Sequence, residues 1–219
     1  RLWKNTKEAE KEFYKVLKQQ IALGKSFVAI AYEIQRHMEK LSGTQFTQLT
    51  KEEIKLIEKL RSTAKAMIKG EISKEKFDKV LYGYKKYIEK RKESPYGVKN
   101  AHLKLLTDLT KSVENLSEKA VDDAVKWYMY DKQLYNLKRI ARTETANIFH
   151  KTVIASWEDN DFVIGYRWKL SPAHKIKDIC DDYANAEFGL GKGVFPKDKV
   201  PQTVAHPHCT CIIEPVFKK

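Results

Sequence analysis

The distribution of proline is the feature that most constrains how this chain can fold. Five of the six prolines and all three cysteines lie after residue 160, which leaves Pro95 as the single proline of residues 1–160. Proline lacks a backbone N–H and its ring clashes with the preceding turn, so it interrupts helices and central strands. The first part can therefore form long helices, and the nine glycines are too few for the frequent turns of an all-β sandwich. The shift in composition predicts a domain boundary near Asn160.

Apolar side chains in residues 1–160 recur every three or four positions, which is the spacing of one helix face. One such stripe runs from Phe13 to Leu41 and is interrupted at Ser42-Gly43. We interpret this stripe as one first helix. The same spacing, together with capping residues, predicts further helices at residues 50–68, 73–88, 101–129 with a break near Ser117, and 132–157.

The pattern changes after Asn160, where apolar and other residues alternate from Phe162 to Leu170. Alternation with a period of two predicts a half-buried strand. Residues 208–214 predict a second short strand, after a region rich in loops. The fold class that we predict is α+β and mainly α, with an elongated N-terminal helical body at 1–160 and a small C-terminal strand-and-loop module at 161–219.

The strongest chemical signal is the set Cys180, His206, Cys209 and Cys211. Thiolate and imidazole are the ligands that structural zinc prefers, and four of them complete a tetrahedron. We therefore predict that zinc staples the C-terminal module through these four residues. The alternatives are a disulfide from Cys180 to Cys209 or Cys211, or simply buried thiols, because free cysteine is among the most buried residue types. His174 and His208 are expected at the surface or in hydrogen bonds.

The chain carries a net charge of +13, and residues 161–219 contribute only nine of its 42 basic and seven of its 29 acidic residues. An excess of +11 thus lies in residues 1–160. Basic side chains bind the phosphates of nucleic acid by releasing condensed counterions. This predicts binding to double-stranded DNA without sequence preference, although the charges could equally well serve only to solvate long helices.

Other sequence features limit where the protein works. No run of residues approaches the roughly 18 consecutive apolar residues of a membrane span, so we expect none. Three clustered cysteines are too few for a secreted disulfide framework, which favours a reducing compartment. Because the sequence begins with Arg1 rather than methionine, we expect either a trimmed chain or a leader that precedes it.

Five segments occur in a telling order along the second half of the chain. A helix with Arg142 and Glu144 precedes a strand with Trp168, and an Asp-rich segment beginning at Cys180, a Gly-Lys-Gly sequence at 191–193 and a closing His-Pro-His-Cys-Thr-Cys at 206–211 follow. This order resembles the phage Mu F-like family of minor head (head morphogenesis) proteins over residues 135–217. Two positions depart from the family pattern: threonine at 210 replaces the usual arginine, and tyrosine at 183 stands where a CxxC often has its second cysteine.

The resemblance implies a virion component present in few copies at the portal vertex, with roles in head assembly and in DNA packaging or ejection. Its partners would be the portal protein, other head proteins and double-stranded DNA. It would reside in the phage head, and in the host cytoplasm during assembly. Outside the predicted metal site no residues have the spacing that nucleophilic or acid–base catalysis needs, so we expect no enzymatic activity, no catalytic residues and no organic cofactor. The alternatives are a metal-dependent nuclease and a generic DNA-binding module.

Two further sets of residues are candidates for interactions. Arg142 and Glu144 are two positions apart, so they do not face each other on a helix. With the family match, we expect them to form an ion network with Asp178 that joins the helical body to the cysteine module; the alternative is ordinary surface charge. Aromatic residues dominate interface energetics, so we expect anchors for a partner among Trp3, Phe13 and Phe27 of the first helix, or at Trp127 with Tyr130.

Overall fold

The computed structural model describes residues 7–42, 51–90 and 96–218. These ranges contain helices and three short strands, which we number in chain order. The elements are α1 (Lys7–Ala22), α2 (Phe27–Ser42), α3 (Lys51–Ile68), α4 (Lys74–Lys90), α5 (Tyr96–Glu114), α6 (Glu118–Trp157), β1 (Val163–Lys169), α7 (Ile179–Asn185), β2 (Val194–Phe195) and β3 (Ile212–Phe217).

The predicted fold class is confirmed, because the described chain is mainly helical and ends in a small antiparallel sheet. Several helix boundaries also agree with the sequence. The hydroxyl of Ser73 accepts a hydrogen bond from the backbone of Lys76 at 3.3 Å, and that of Ser117 accepts one from Ala120 at 3.2 Å. Each serine thus caps a helix start, Ser73 where the helix at 73–88 is predicted to begin and Ser117 at the predicted break. No helix in the described ranges is both long enough and apolar enough to cross a membrane.

The single first helix expected from the apolar stripe is wrong, because the chain turns between α1 and α2. Gly24 adopts a positive φ of 66°, and its N–H donates to the carbonyl of Ile21 at 2.9 Å. Glycine reaches this conformation without strain and commonly ends helices in this way. The hydroxyl of Ser26 then accepts from Ala29 at 3.3 Å and starts the next helix. Spacing of apolar residues continued across this short turn, so the stripe did not reveal it.

The break expected between Met129 and Lys132 is also wrong, since α6 runs without interruption over 40 residues. This segment contains no glycine or proline, so nothing interrupts its backbone hydrogen bonds. Lys132, the residue at which a separate helix was predicted to begin, is buried and forms an ion pair with buried Glu53 of α3. The pair lets the helix bury a charge there, because a buried ion is tolerated when it is paired.

The chain forms two compact units, and three helices contribute residues to both. The helical unit comprises Arg1–Tyr14 and Ile34–Asn136, and the mixed unit comprises Lys15–Glu33 and Leu137–Lys219. The mixed unit is therefore larger than the 161–219 module expected from composition. The physical reason is that the last turns of α6 belong to the core of the sheet, where Ile154 is buried.

Strand β1 lies at the centre of the sheet, whose order is β2-β1-β3, and both of its pairings are antiparallel. Tyr166 and Trp168 are buried, as the alternation predicts. A register shift between Val163 and Gly165 reverses the pattern at the start of the strand, so Val163 is buried and Phe162 is 71% exposed. An extra residue on one strand has this effect because successive side chains point to opposite faces.

A glycine fixes the position of α7 against the sheet. Gly193 has a positive φ of 69°, and a Cβ atom at this position would lie 2.6 Å from the carbonyl oxygen of Ala184. Its N–H donates to Ala186 and its carbonyl accepts from Trp168, each at 2.8 Å. Residues 191–193, singled out in the sequence, thus connect the end of α7 to the central strand.

Candidate metal centre

Helix α7 places Cys180 in the core of the mixed unit. The side chain of Asp178 accepts a hydrogen bond from the N–H of Cys180 at 2.8 Å, and the side chain of Asp181 accepts one from the N–H of Asp178 at 2.8 Å. These reciprocal bonds form a capping box, which fixes where the helix begins. The Cys180 side chain is completely buried.

The closing segment at residues 206–211 brings further ligand atoms to Cys180. A turn closed by the N–H of Cys209 and the carbonyl of His206 at 3.2 Å contains His208 at a positive φ of 66°. The Cys180 Sγ lies 3.3 Å from His206 Nε2 and 3.4 Å from Cys209 Sγ. Three of the predicted ligands therefore meet. They do so from a loop and not from the predicted strand, because β3 begins only at Ile212.

Cys211 belongs to a second group around the same thiol. The ligand atoms of Cys180, Cys211 and His174 lie within 4.8 Å of one another. The sequence predicts His174 at the surface or in a hydrogen bond. Its Nε2 lies 2.9 Å from Asp181 Oδ2, but the ring also stands beside the thiols. Cys180 is thus shared by two groups of ligand atoms.

The distances between these atoms fit a metal ion. Donors held 2.0–2.3 Å from a tetrahedral ion are about 3.3–3.8 Å apart. The separations of 3.3 and 3.4 Å around Cys180 lie in this range. The same residues are too far apart for a disulfide, whose sulfurs are about 2.05 Å apart, and all three cysteines are free thiols. The cluster is close enough to bind a metal ion, as the sequence predicts.

Burial controls the protonation of two of the thiols. It raises the pKa of Cys180, and the neighbouring Cys209 and Cys211 raise it further. Burial is also the main reason that the pKa of Cys211 is raised. Both groups hold their protons at neutral pH unless a cation replaces them, because the thiolate is disfavoured in an apolar core beside other thiols.

Three side chains of α6 hold the chain between Val204 and Cys211, and none of the three is predicted from the sequence. The hydroxyl of Thr143 accepts from the N–H of His208 at 3.2 Å, and the amide oxygen of Asn147 accepts from the N–H of Val204 at 3.0 Å. His150 Nε2 lies 3.2 Å from the carbonyl oxygen of Cys211. Steps of four and three place these residues on one helix face, and polar residues at this spacing are the signal that could have identified them.

His150 is neutral and its proton is on Nε2. The ring is completely buried, and burial lowers its pKa. The carbonyl of Cys211 can only accept a hydrogen bond, so the imidazole must donate. The ring also packs edge-on against Trp168 with centroids 5.2 Å apart. His150 therefore positions the backbone of one candidate ligand against the central strand.

The structure does not bring Arg142, Glu144 and Asp178 together in an ion network. Asp178 Oδ2 lies 3.2 Å from His206 Nε2 in addition to capping α7. The guanidinium of Arg142 lies over the ring of Phe27 at 4.8 Å. Neither Arg142 nor Glu144 forms an ion pair with any residue in the described ranges. Hydrogen bonds from α6 to the closing segment make the connection that the network was expected to make.

Tyr183 occupies the position where the resembling family often has a second cysteine, and its ring belongs to the apolar core. It packs edge-on against Trp168 at 4.9 Å and against Phe195 at 5.8 Å between centroids. Tyr183 thus supplies aromatic contacts to the core, while His174 stands near the thiols.

The fold and the site define a mainly helical protein with a buried cysteine–histidine cluster that could hold a metal ion. No protein family model matches the sequence, no curated protein is significantly similar to it, and no solved structure matches its fold.

Proposed function

We propose that this chain is a minor head protein of a bacteriophage that resembles the Mu F-like family. It is a virion component near the portal vertex, where it aids head assembly and DNA packaging or ejection, and it passes through the host cytoplasm during assembly. One observation carries the proposal. The motif segments that resemble the family, from the Arg142 helix to Cys211, lie within one compact unit, and their strand, cysteine segment and closing turn share one core.

We further propose that the metal is zinc and that its role is structural. Thiols and imidazoles form the donor set, and this combination favours zinc. Cys180, His206, Cys209 and Cys211 are the ligands, with His174 as the nearest competitor for a place. A bound ion at this position joins α7 to the closing segment, because Cys180 and His206 belong to those two elements.

A structural ion also separates this proposal from the nuclease alternative. A catalytic zinc site keeps a coordination position open for water, whereas four protein ligands close the tetrahedron. The test is incubation of the full chain with supercoiled plasmid and Zn²⁺, Mg²⁺ or Mn²⁺. We expect no nicking. Cleavage that disappears on His206→Ala would favour the nuclease.

Docking of the helical unit to the portal or to a neighbouring head protein needs an exposed anchor. Phe13 is completely buried and Phe27 lies under Arg142, so neither is available, and Trp3 lies outside the described residues. Trp127 is 56% exposed and packs edge-on against Tyr130 at 5.7 Å between centroids. An exposed tryptophan held by a second ring favours Trp127 as the anchor.

The docking proposal is tested by incorporation into particles of the phage that encodes the chain. Removing a central aromatic anchor costs about 2 kcal/mol or more, which is about thirtyfold in affinity. We therefore expect Trp127→Ala to lose most incorporation, measured by mass spectrometry of purified particles. The matched control is Tyr82→Ala, because Tyr82 is a 58% exposed aromatic of the same unit. Normal incorporation of Trp127→Ala, or an equal loss in the control, would exclude this anchor.

A further inference from the structure

Three basic residues form a patch on the part of α6 that lies in the mixed unit. They are Lys138, Arg139 and Arg142, and we call them the basic patch. The Lys138 ammonium lies 5.3 Å from the centre of the Tyr32 ring, and the Arg142 guanidinium lies 4.8 Å from that of Phe27. Both rings belong to α2. Cation–π contacts of this kind hold the charged groups in place without neutralising them.

The charges of the basic patch are not balanced by carboxylates. None of its three residues forms an ion pair within the described ranges, whereas Arg61 and Lys65 of α3 both pair with Asp122 at 2.7 and 2.8 Å. Glu144 follows Arg142 by two positions and is therefore offset by about 200° around the helix. Like charges one turn apart on a helix repel each other. An anion that binds between them relieves this repulsion, so the basic patch favours anion binding.

The basic patch lies beside the closing segment. The N–H of His208 donates to the hydroxyl of Thr143, the residue next to Arg142, at 3.2 Å. The same hydroxyl donates to the carbonyl of Arg139 at 2.8 Å. The basic patch and the loop of the candidate metal centre are therefore neighbours on the mixed unit.

We propose that the basic patch is the site where this protein binds backbone phosphates of double-stranded DNA. The inference rests on the proposed role in DNA packaging or ejection, and it narrows the DNA contact predicted from the sequence from residues 1–160 to one face of α6. Guanidinium groups match phosphate oxygens with two parallel hydrogen bonds. A guanidinium already lying on an aromatic ring loses less freedom when it binds, which lowers the entropic cost of the contact. The patch therefore differs from scattered lysines, which attract DNA without fixed geometry.

The test is a salt titration of DNA binding by the full, metal-loaded chain. The probe is a fluorescent 20-base-pair duplex of random sequence, followed by anisotropy. Each phosphate contact contributes about −0.9 to the slope of log K against log salt, or about eightfold in affinity at 0.1 M relative to 1 M salt. Replacing both arginines, Arg139→Gln with Arg142→Gln, should reduce the slope by about 1.8 and the affinity by about sixtyfold.

The control removes the same charge from another place. Lys59→Gln with Lys79→Gln changes two exposed lysines of α3 and α4 that form no ion pair within the described ranges. Its affinity should change about threefold or less, because an exposed charge outside the contact is screened within about 10 Å at 0.1 M salt. A second variant, Phe27→Leu, keeps every charge but removes the ring under Arg142, and it should weaken binding while leaving the slope unchanged.

The outcomes separate the inference from the proposed function. Equal losses in the arginine and lysine variants, with DNA binding by the wild type intact, would overturn the basic patch but leave the general DNA contact. No DNA binding by the wild type at low salt would overturn both. The same titration with fluorescent polyglutamate as a second probe tests binding to an acidic protein. Loss of polyglutamate binding in the arginine variant, with DNA binding retained, would assign the patch to an acidic protein and would also overturn the inference.

Discussion

The hydrogen bond from Val204 to Asn147 offers the sharpest test of how α6 supports the candidate metal centre. Replacing Asn147 by leucine keeps the branched shape of the side chain but removes the acceptor of a nearly buried N–H, since Val204 is only 8% exposed. An unsatisfied buried donor costs about 1–3 kcal/mol. The local opening of residues 204–211 should therefore become about 5 to 150 times more frequent.

Hydrogen exchange followed by mass spectrometry measures this opening directly. We expect faster exchange in peptides that cover 204–211 in Asn147→Leu, and near-wild-type exchange in Asn147→Asp, which keeps an acceptor oxygen at the same place. A second control is Thr145→Val, because the Thr145 hydroxyl donates to the Ala141 carbonyl within α6 itself. Unchanged exchange in Asn147→Leu, or an equal increase in Asn147→Asp, would refute the role of this bond.

Three further predictions concern the metal and the backbone that surrounds it. Cys180→Ser should abolish metal binding, because both ligand groups share this thiol, whereas Cys211→Ser should only weaken binding, because Cys180, His206 and Cys209 remain as ligands. Metal analysis of the two purified variants measures this difference, and equal metal content in both would contradict the shared role of Cys180. Because the pKa values of Cys180 and Cys211 are raised, a metal ion must displace at least two protons when it binds, so metal affinity should fall about a hundredfold for each pH unit below neutral. A competition assay with a chromophoric chelator measures this affinity, and a fall of less than tenfold per pH unit would contradict the prediction. Gly193→Ala should lower the melting temperature far more than Gly189→Ala, because both glycines have positive φ but only at Gly193 would the new Cβ meet a carbonyl oxygen, at 2.6 Å. Equal decreases in melting temperature would show that the backbone strain of a positive φ, and not the clash, determines the effect.

The sequence by itself determined the division of the chain into helices followed by a small sheet. Proline and glycine act locally on the backbone, so their distribution limits where helices can run before any tertiary contact forms. Ser73 predicted a helix start for the same local reason, and the break predicted near Ser117 lies just before the start of α6. The residue types at Cys180, His206, Cys209 and Cys211 predicted a cluster able to bind metal, because ligand chemistry is a property of each side chain.

Only the tertiary structure decided how these parts meet. His174 stands beside the thiols because the chain after β1 returns to α7, and the spacing of residues along the sequence contains no record of that path. Thr143, Asn147 and His150 gained their roles from loop carbonyl and amide groups about 60 positions away in sequence. The ion network expected for Arg142 does not form for the same reason. A charged side chain pairs only with groups that the fold places beside it, and the group beside Arg142 is the ring of Phe27.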